Sequence, residues 1–160
     1  MKLFYVFNRA GQLVGPLPTA DWDLPEEKWR ALLSPDQFRL LRRQDTEVAF
    51  CGMLLDNKQQ GVYFCAGCGL PVFSSDAKFD SGSGWPSFYQ PLAAANIILR
   101  PDQRNGLQRL EVSCARCAGH LGHVFADGPH PSGQRFNLNS ASLLFAPSNQ
   151  VARLADPAAD

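Results

Sequence analysis

The sequence predicts a mainly β protein, built of antiparallel sheets, with short N-terminal helices and a four-cysteine zinc site. Three observations lead there. Thirteen glycines and twelve prolines in 160 residues mark many turns, so strand and loop should outweigh helix. From Gly61 onward, short apolar or alternating runs are separated by Gly, Pro, Asn and Asp, the pattern of an antiparallel β domain. Two Cys-x-x-Cys pairs, Cys65/Cys68 and Cys114/Cys117, offer four thiolates.

The elements follow in chain order. Leu3 to Pro18 reads as a hairpin with Asn8 to Gly11 as its turn. Its first apolar run, Leu3 to Phe7, is stopped by Asn8 and Arg9, so a strand is expected there and not a signal peptide. Asp23 to Leu33 offers a short helix, with Pro25, Glu26 and Glu27 suited to a first turn. Ser34 to Gln44 is better marked. Ser34 can cap, Pro35 fits the first helical position, and Gln37 completes a capping box. Phe38, Leu40 and Leu41 should face inward, and Arg39, Arg42 and Arg43 outward. Strands are then expected in "GVYFC", "LPVFSS", "IILRP", "LQRLEVSC", "HVFAD" and "ASLLFAP". The tail, Val151 to Asp160, is small and Ala-rich and is expected to fray. The chain so divides into an extension (1–33), a zinc-binding domain (34–147) and a tail (148–160).

Fifteen basic and fifteen acidic residues cancel, so charge supplies no argument for nucleic acid or an anionic membrane as partner. No apolar run approaches a membrane span. A cytoplasmic location is expected. Cysteines there stay largely reduced, which points paired ones to metal or redox chemistry before structural disulfides. One pair alone could be a thioredoxin-like redox motif, but that motif wants a βαβ context and none is visible. Two pairs brought together make the tetrahedral zinc arrangement. Four thiolates leave the ion no open position, so its role is structural.

Other residues stay open on spacing alone. Trp85, in "SGSGWPSF", is a core plug or the floor of an apolar pocket. His120 and His123, in "HLGHVF", suit metal ligation, acid–base work or a polar strand end. With zinc satisfied by sulfur, a catalytic or substrate-binding role competes with the polar one.

A family resemblance narrows these. "DNKQQGVYFCAGCGLPVFSSDAKFDSGSGWPSFYQP", "GLQRLEVSCARCAGHLGHVFADGPHPSGQRF" and "NSASL" resemble, in order, the methionine-R-sulfoxide reductases of the MsrB family. The resemblance runs from about Ser34 to Pro147. It implies the MsrB-like β fold and a structural Zn2+ on Cys65, Cys68, Cys114 and Cys117. It implies that Trp85, with Phe136, contacts the substrate, Trp85 receiving the S-methyl group. It implies that His120, His123 and Asn139 bind and polarise the sulfoxide. The substrate would be methionine-R-sulfoxide in peptides or proteins, and the chain a monomer. In the family chemistry a thiolate attacks the sulfoxide sulfur and the S–O bond breaks as the oxygen is protonated. The resulting sulfenic acid condenses with a second thiol, and a thioredoxin-like reductant resets the disulfide.

Two departures matter. The glycine-rich turn that often carries the resolving cysteine has Ser83. Cys51 lies at an alternative place for that cysteine, though it also suits a small buried hydrophobe. The family pattern Arg-[Phe/Tyr]-Cys-x-Asn-Ser reads here Arg135-Phe136-Asn137-Leu138-Asn139-Ser140. Asn137 stands at the nucleophile's position, and a carboxamide has no thiolate form. The readings that follow are a sulfoxide-binding homologue with impaired turnover, a reductase working through Cys51, an ordinary reductase altered from Cys to Asn, and a purely structural zinc module.

Overall fold

The computed structural model describes residues 1–160. The chain opens on a hairpin of β1 (Phe4–Phe7) and β2 (Leu13–Leu17), followed by helices α1 (Glu26–Leu32) and α2 (Pro35–Arg43). The strands after them are β3 (Gly61–Cys65), β4 (Pro71–Ser74), β5 (Lys78–Phe79), β6 (Ser87–Phe88), β7 (Ile97–Asp102), β8 (Arg109–Cys114), β9 (His120–Phe125), β10 (Arg135–Leu138) and β11 (Leu143–Pro147). Two antiparallel sheets result. One has six strands in the order β5-β6-β10-β9-β8-β7, and the other three in the order β11-β3-β4. The expected mainly β, antiparallel fold is what forms.

α2 forms where its caps predict. Ser34 Oγ accepts from the Gln37 N–H at 3.1 Å, and Gln37 Oε1 accepts from the Ser34 N–H at 2.9 Å, so two orphan amides of the first turn are satisfied. Phe38, Leu40 and Leu41 are buried as expected. Arg42 departs from its expected outward position. Its guanidinium lies 4.6 Å from the Trp29 ring and donates to the Cys117 carbonyl at 2.8 Å. The long aliphatic stem lets it cover an aromatic while its head satisfies a carbonyl. α2 is thereby fastened to the second Cys-x-x-Cys turn.

The hairpin extends neither sheet; it pairs only with itself. Buried Phe4 and Val6 join the main core. Asn96, fully buried, fixes it in place. Its Oδ1 accepts from the Tyr5 N–H at 3.0 Å, and its Nδ2 donates to the Tyr5 carbonyl at 2.9 Å and the Pro71 carbonyl at 2.7 Å. One carboxamide thus stands in for a strand partner. Asn96→Ala leaves a buried N–H and two carbonyls short of partners, and should lower stability by about 3 kcal/mol. A urea titration with unchanged m-value checks this; a loss below about 1 kcal/mol would refute the role.

The tail does not fray. Residues Ser148–Leu154 and Pro157–Ala159 form 3-10 turns. Val151 packs beside Phe7 and Phe64, and the Asp156 N–H donates to the Phe7 carbonyl at 2.9 Å. Val151, with Leu154 packed beside it, and a strand-end carbonyl seat the segment.

Candidate active site and metal centre

Strand register builds one row of side chains across the six-stranded sheet. Glu111 on β8 pairs with His123 on β9, His123 with Asn137 on β10, and Asn137 with Ser87 on β6. Paired residues share a face, so these four side chains lie side by side. The neighbouring row, Val124–Phe136–Phe88, faces the core. Phe136 is 2% exposed and its ring lies 5.5 Å from that of Phe73. Phe136 packs in the core because period-two alternation puts it on the face opposite Asn137. A Cβ on Gly122 would collide with the Asn137 carbonyl oxygen, so glycine is what allows β9 and β10 to approach here.

His120 joins this face through an irregularity. Ser113 pairs with His120 while Val112 pairs with Gly122, so Leu121 is the extra residue of a bulge. Without it, parity would send His120 to the core side of His123. With it, the two rings meet edge to face with centroids 5.3 Å apart, and Leu121 is buried instead.

Each imidazole is held by a carboxylate. His120 Nδ1 lies 2.6 Å from Glu111 Oε2, and His123 Nε2 lies 2.7 Å from Asp102 Oδ2. Hydrogen bonds from Arg104 hold the Asp102 carboxyl far below the usual carboxylate range. Burial pushes Glu111 up, but hydrogen bonds from His120 and Gln44 outweigh it, leaving its carboxyl below the ordinary value. Burial lowers His123, against the opposing pull of Asp102, and the net shift is downward. At neutral pH the carboxylates are therefore ionised acceptors and His123 is neutral. The carboxylate on Nδ1 leaves Nε2 of His120 directed elsewhere; it is buried and without a protein partner. On the neutral ring that nitrogen is an acceptor for an N–H or O–H group, and it donates only when the ring is protonated.

Asn137 is half-buried among hydroxyls. Its Oδ1 accepts from Ser83 Oγ at 2.8 Å, and Ser87 Oγ lies 3.4 Å away. Ser81 Oγ in turn bridges Ser83 and Ser87 at 2.8 and 2.7 Å. Residues 81–87 are brought here by a tight turn, where Gly84 adopts φ +96° and a Cβ would meet that of Ala49 at 2.8 Å. Trp85, on the same turn, is half-buried, and its Nε1 donates to the Glu47 carbonyl at 3.0 Å. It lines a cavity of about 300 Å³ with Lys78, Phe79 and Ser81. That is a pocket wall and not a core plug.

Asn139 is buried, and its amide binds backbone at both ends: Oδ1 accepts from the Glu47 N–H at 3.1 Å, and Nδ2 donates to the Asp45 carbonyl at 3.2 Å. It holds the 45–47 segment, whose carbonyl holds Trp85. Cys51 is exposed, which excludes the buried-hydrophobe reading. It borders a separate cavity of about 710 Å³ with Val48, Met53 and Leu54. The adjacent Phe50 N–H donates to the Gly84 carbonyl at 2.7 Å, so the Cys51 loop leans on the Trp85 turn.

The four remaining cysteines converge. Their sulfurs all lie within 4.8 Å of one another, with Cys65–Cys117 at 3.6 Å and Cys68–Cys114 at 3.5 Å. A tetrahedron with ~2.3 Å metal–sulfur bonds has an edge of about 3.8 Å, so the donor set fits a four-coordinate ion such as zinc. All four are buried. β3 delivers Cys65 from one sheet and β8 delivers Cys114 from the other.

Sequence reasoning missed Glu111, Asp102, Glu47 and the serine bridge. Glu111 carried a weak signal, as a carboxylate between apolar residues in a strand leading to a cysteine pair. Asp102 and Glu47 carried none, because their roles depend on which strands become neighbours.

Comparison with known proteins agrees with this construction. Residues 33–147 match a family model described as the SelR domain. A peptide methionine sulfoxide reductase MsrB of Thiobacillus denitrificans is 55% identical over 124 residues, 78% of this chain and 94% of its own length. One of Leptospira interrogans is 52% identical over 120 residues, 75% of this chain and 92% of its own. One of Xylella fastidiosa is 47% identical over 144 residues, 90% of each. With that match over most of its length, the chain belongs to the MsrB family of methionine sulfoxide reductases.

Proposed function

We propose that this chain binds methionine-R-sulfoxide, in peptides or proteins, on the face formed by Trp85, His120, His123 and Asn137, and that its turnover is impaired or absent. Asn137 carries this reading: a carboxamide, bonded to Ser83 and in register with His123, at the position where the family pattern has its nucleophilic cysteine. Its nitrogen lone pair is delocalised into the carbonyl, so it cannot attack the sulfoxide sulfur. Its N–H groups can donate to the sulfoxide oxygen; an imidazole on this face can do so only in its protonated form, because the neutral ring's one N–H is given to a carboxylate. The apolar face of Trp85 suits the S-methyl group. The four-sulfur donor set suits zinc as the resident ion. The balanced charge suits a cytoplasmic protein with no nucleic-acid or membrane partner; no helix is long and apolar enough to cross a membrane. The chain works as a monomer, and a thioredoxin-like protein is the reductant of any residual cycle.

Calorimetry with a methionine-R-sulfoxide peptide should give binding that Trp85→Ala weakens at least tenfold. Absence of binding by the parent would sink the proposal.

One observation favours a second reading, in which Cys51 is the attacking thiol: its loop touches the Gly84–Trp85 turn. A misplacement near 1 Å already costs about 10²-fold, so such turnover would be slow. Methionine formed with dithiothreitol and lost in Cys51→Ser would establish it. Equal turnover in parent and variant would refute it.

A further inference from the structure

We propose that Arg116 is a positioning residue of the metal centre, clasped there by the two chain termini, and that this clasp sets how fast the ion is lost. The inference rests on the four cysteines holding a divalent ion. Four thiolates around such an ion leave a net charge near −2 in a buried site, which is costly unless a cation faces it. Arg116 lies between the two cysteines of the second turn, and its side chain is 4% exposed. Its Nε donates to Cys68 Sγ at 3.4 Å, and a terminal nitrogen donates to the Cys68 carbonyl at 2.7 Å. One guanidinium thus grips a ligand of the other turn by both sulfur and backbone. Lysine's single ammonium lacks that fork.

The guanidinium is itself held from outside residues 33–147. Asp156, in the C-terminal tail, accepts at 2.6 Å, and Thr19, after the hairpin, accepts at 3.1 Å. Trp22 lies under it at 5.7 Å and stacks on Trp29. The placement of this clasp follows from ligand exposure. Cys65 and Cys114 are fully buried, whereas Cys68 and Cys117 are each 5% exposed, so the ion's side nearest solvent is theirs. A cavity of about 570 Å³ reaches Cys68 there, and its walls are Trp22, Arg116, Leu154 and Asp156. A chelator approaching Cys68 meets the clasp first.

The test is zinc release from the full-length protein to a chromogenic chelator, after metal content has been measured. Partners that orient a metal ligand typically change metal affinity by 10- to 100-fold when removed. Arg116→Ala should therefore speed zinc loss roughly 10- to 100-fold, and Arg116→Lys should recover part of it. Asp156→Ala, which keeps the guanidinium and removes its anchor, should speed loss in the same direction by a smaller factor. Cobalt substitution adds a readout that general destabilisation would not move. An N–H bond to sulfur stabilises the thiolate lone pair, so losing it in Arg116→Ala shifts the sulfur-to-cobalt charge-transfer band to longer wavelength. Zinc loss within twofold of the parent in either alanine variant, or an unshifted cobalt band in Arg116→Ala, overturns the proposal. A parent that binds no metal overturns the metal centre itself.

Discussion

Asn137→Cys is expected to raise methionine formation from methionine-R-sulfoxide and dithiothreitol by several powers of ten, up to the order of 10⁶. The size follows from what a nucleophile supplies: losing one removes the covalent route altogether. The surroundings favour success. Position 137 is half-buried and in register with His123, and Ser83 Oγ already points at its side chain from 2.8 Å, where a hydroxyl would help hold a thiolate. An imperfect fit of about 1 Å would take back roughly 10²-fold, far less than the gain at stake. Dithiothreitol can reduce a sulfenic acid directly, so the missing thiol at Ser83 does not block the assay. Adding Cys51→Ser to the same background asks a separate question. Activity that survives with dithiothreitol but falls with thioredoxin would assign Cys51 the resolving step. A folded, zinc-loaded Asn137→Cys protein with no activity would mean that the histidine face is not a sulfoxide site.

Residue patterns carried the fold class, α2 with its capping box, six strand segments and the cysteine pairs, because each is a local property. β10 was missed, and with it the meaning of Asn137. Four residues containing an asparagine make no strand signal; only pairing with β9 and β6 defines it. The same pairing decided that Phe136 faces the core and Asn137 the site. The bulge at Leu121 could not be foreseen either, since it depends on β8 running alongside. The partners of Asn139 were not legible either, since its amide binds the backbone of Asp45 and Glu47, residues far away in sequence. The tail's order came from a few scattered anchors, Val151, Leu154 and Asp156, too little for composition to register.

Removing the metal should unfold the protein. Structural zinc contributes on the order of 10 kcal/mol or more to small metal-dependent folds, and a domain's whole stability is about 5–15 kcal/mol. The two figures are of one size, so the apo state has little stability left to hold it. The position of the cysteines makes this concrete. Cys65 ends β3 in the three-stranded sheet and Cys114 ends β8 in the six-stranded one, so an ion held by them would tie the sheets together. All four sulfurs sit inside the main core cluster, beside Leu70 and Val112. Without the ion, thiolates repel at 3.5–3.6 Å, and protonated thiols are left as weak donors in an apolar setting. Prolonged treatment with a strong chelator under reducing conditions should abolish near-ultraviolet circular dichroism and the cooperative thermal transition. Cys114→Ser should do so without any chelator. Acid should act in the same direction, because protons compete with the metal for the thiolates. An apo protein that melts cooperatively within a few degrees of the metal-loaded one would show that the sheets hold each other without the ion.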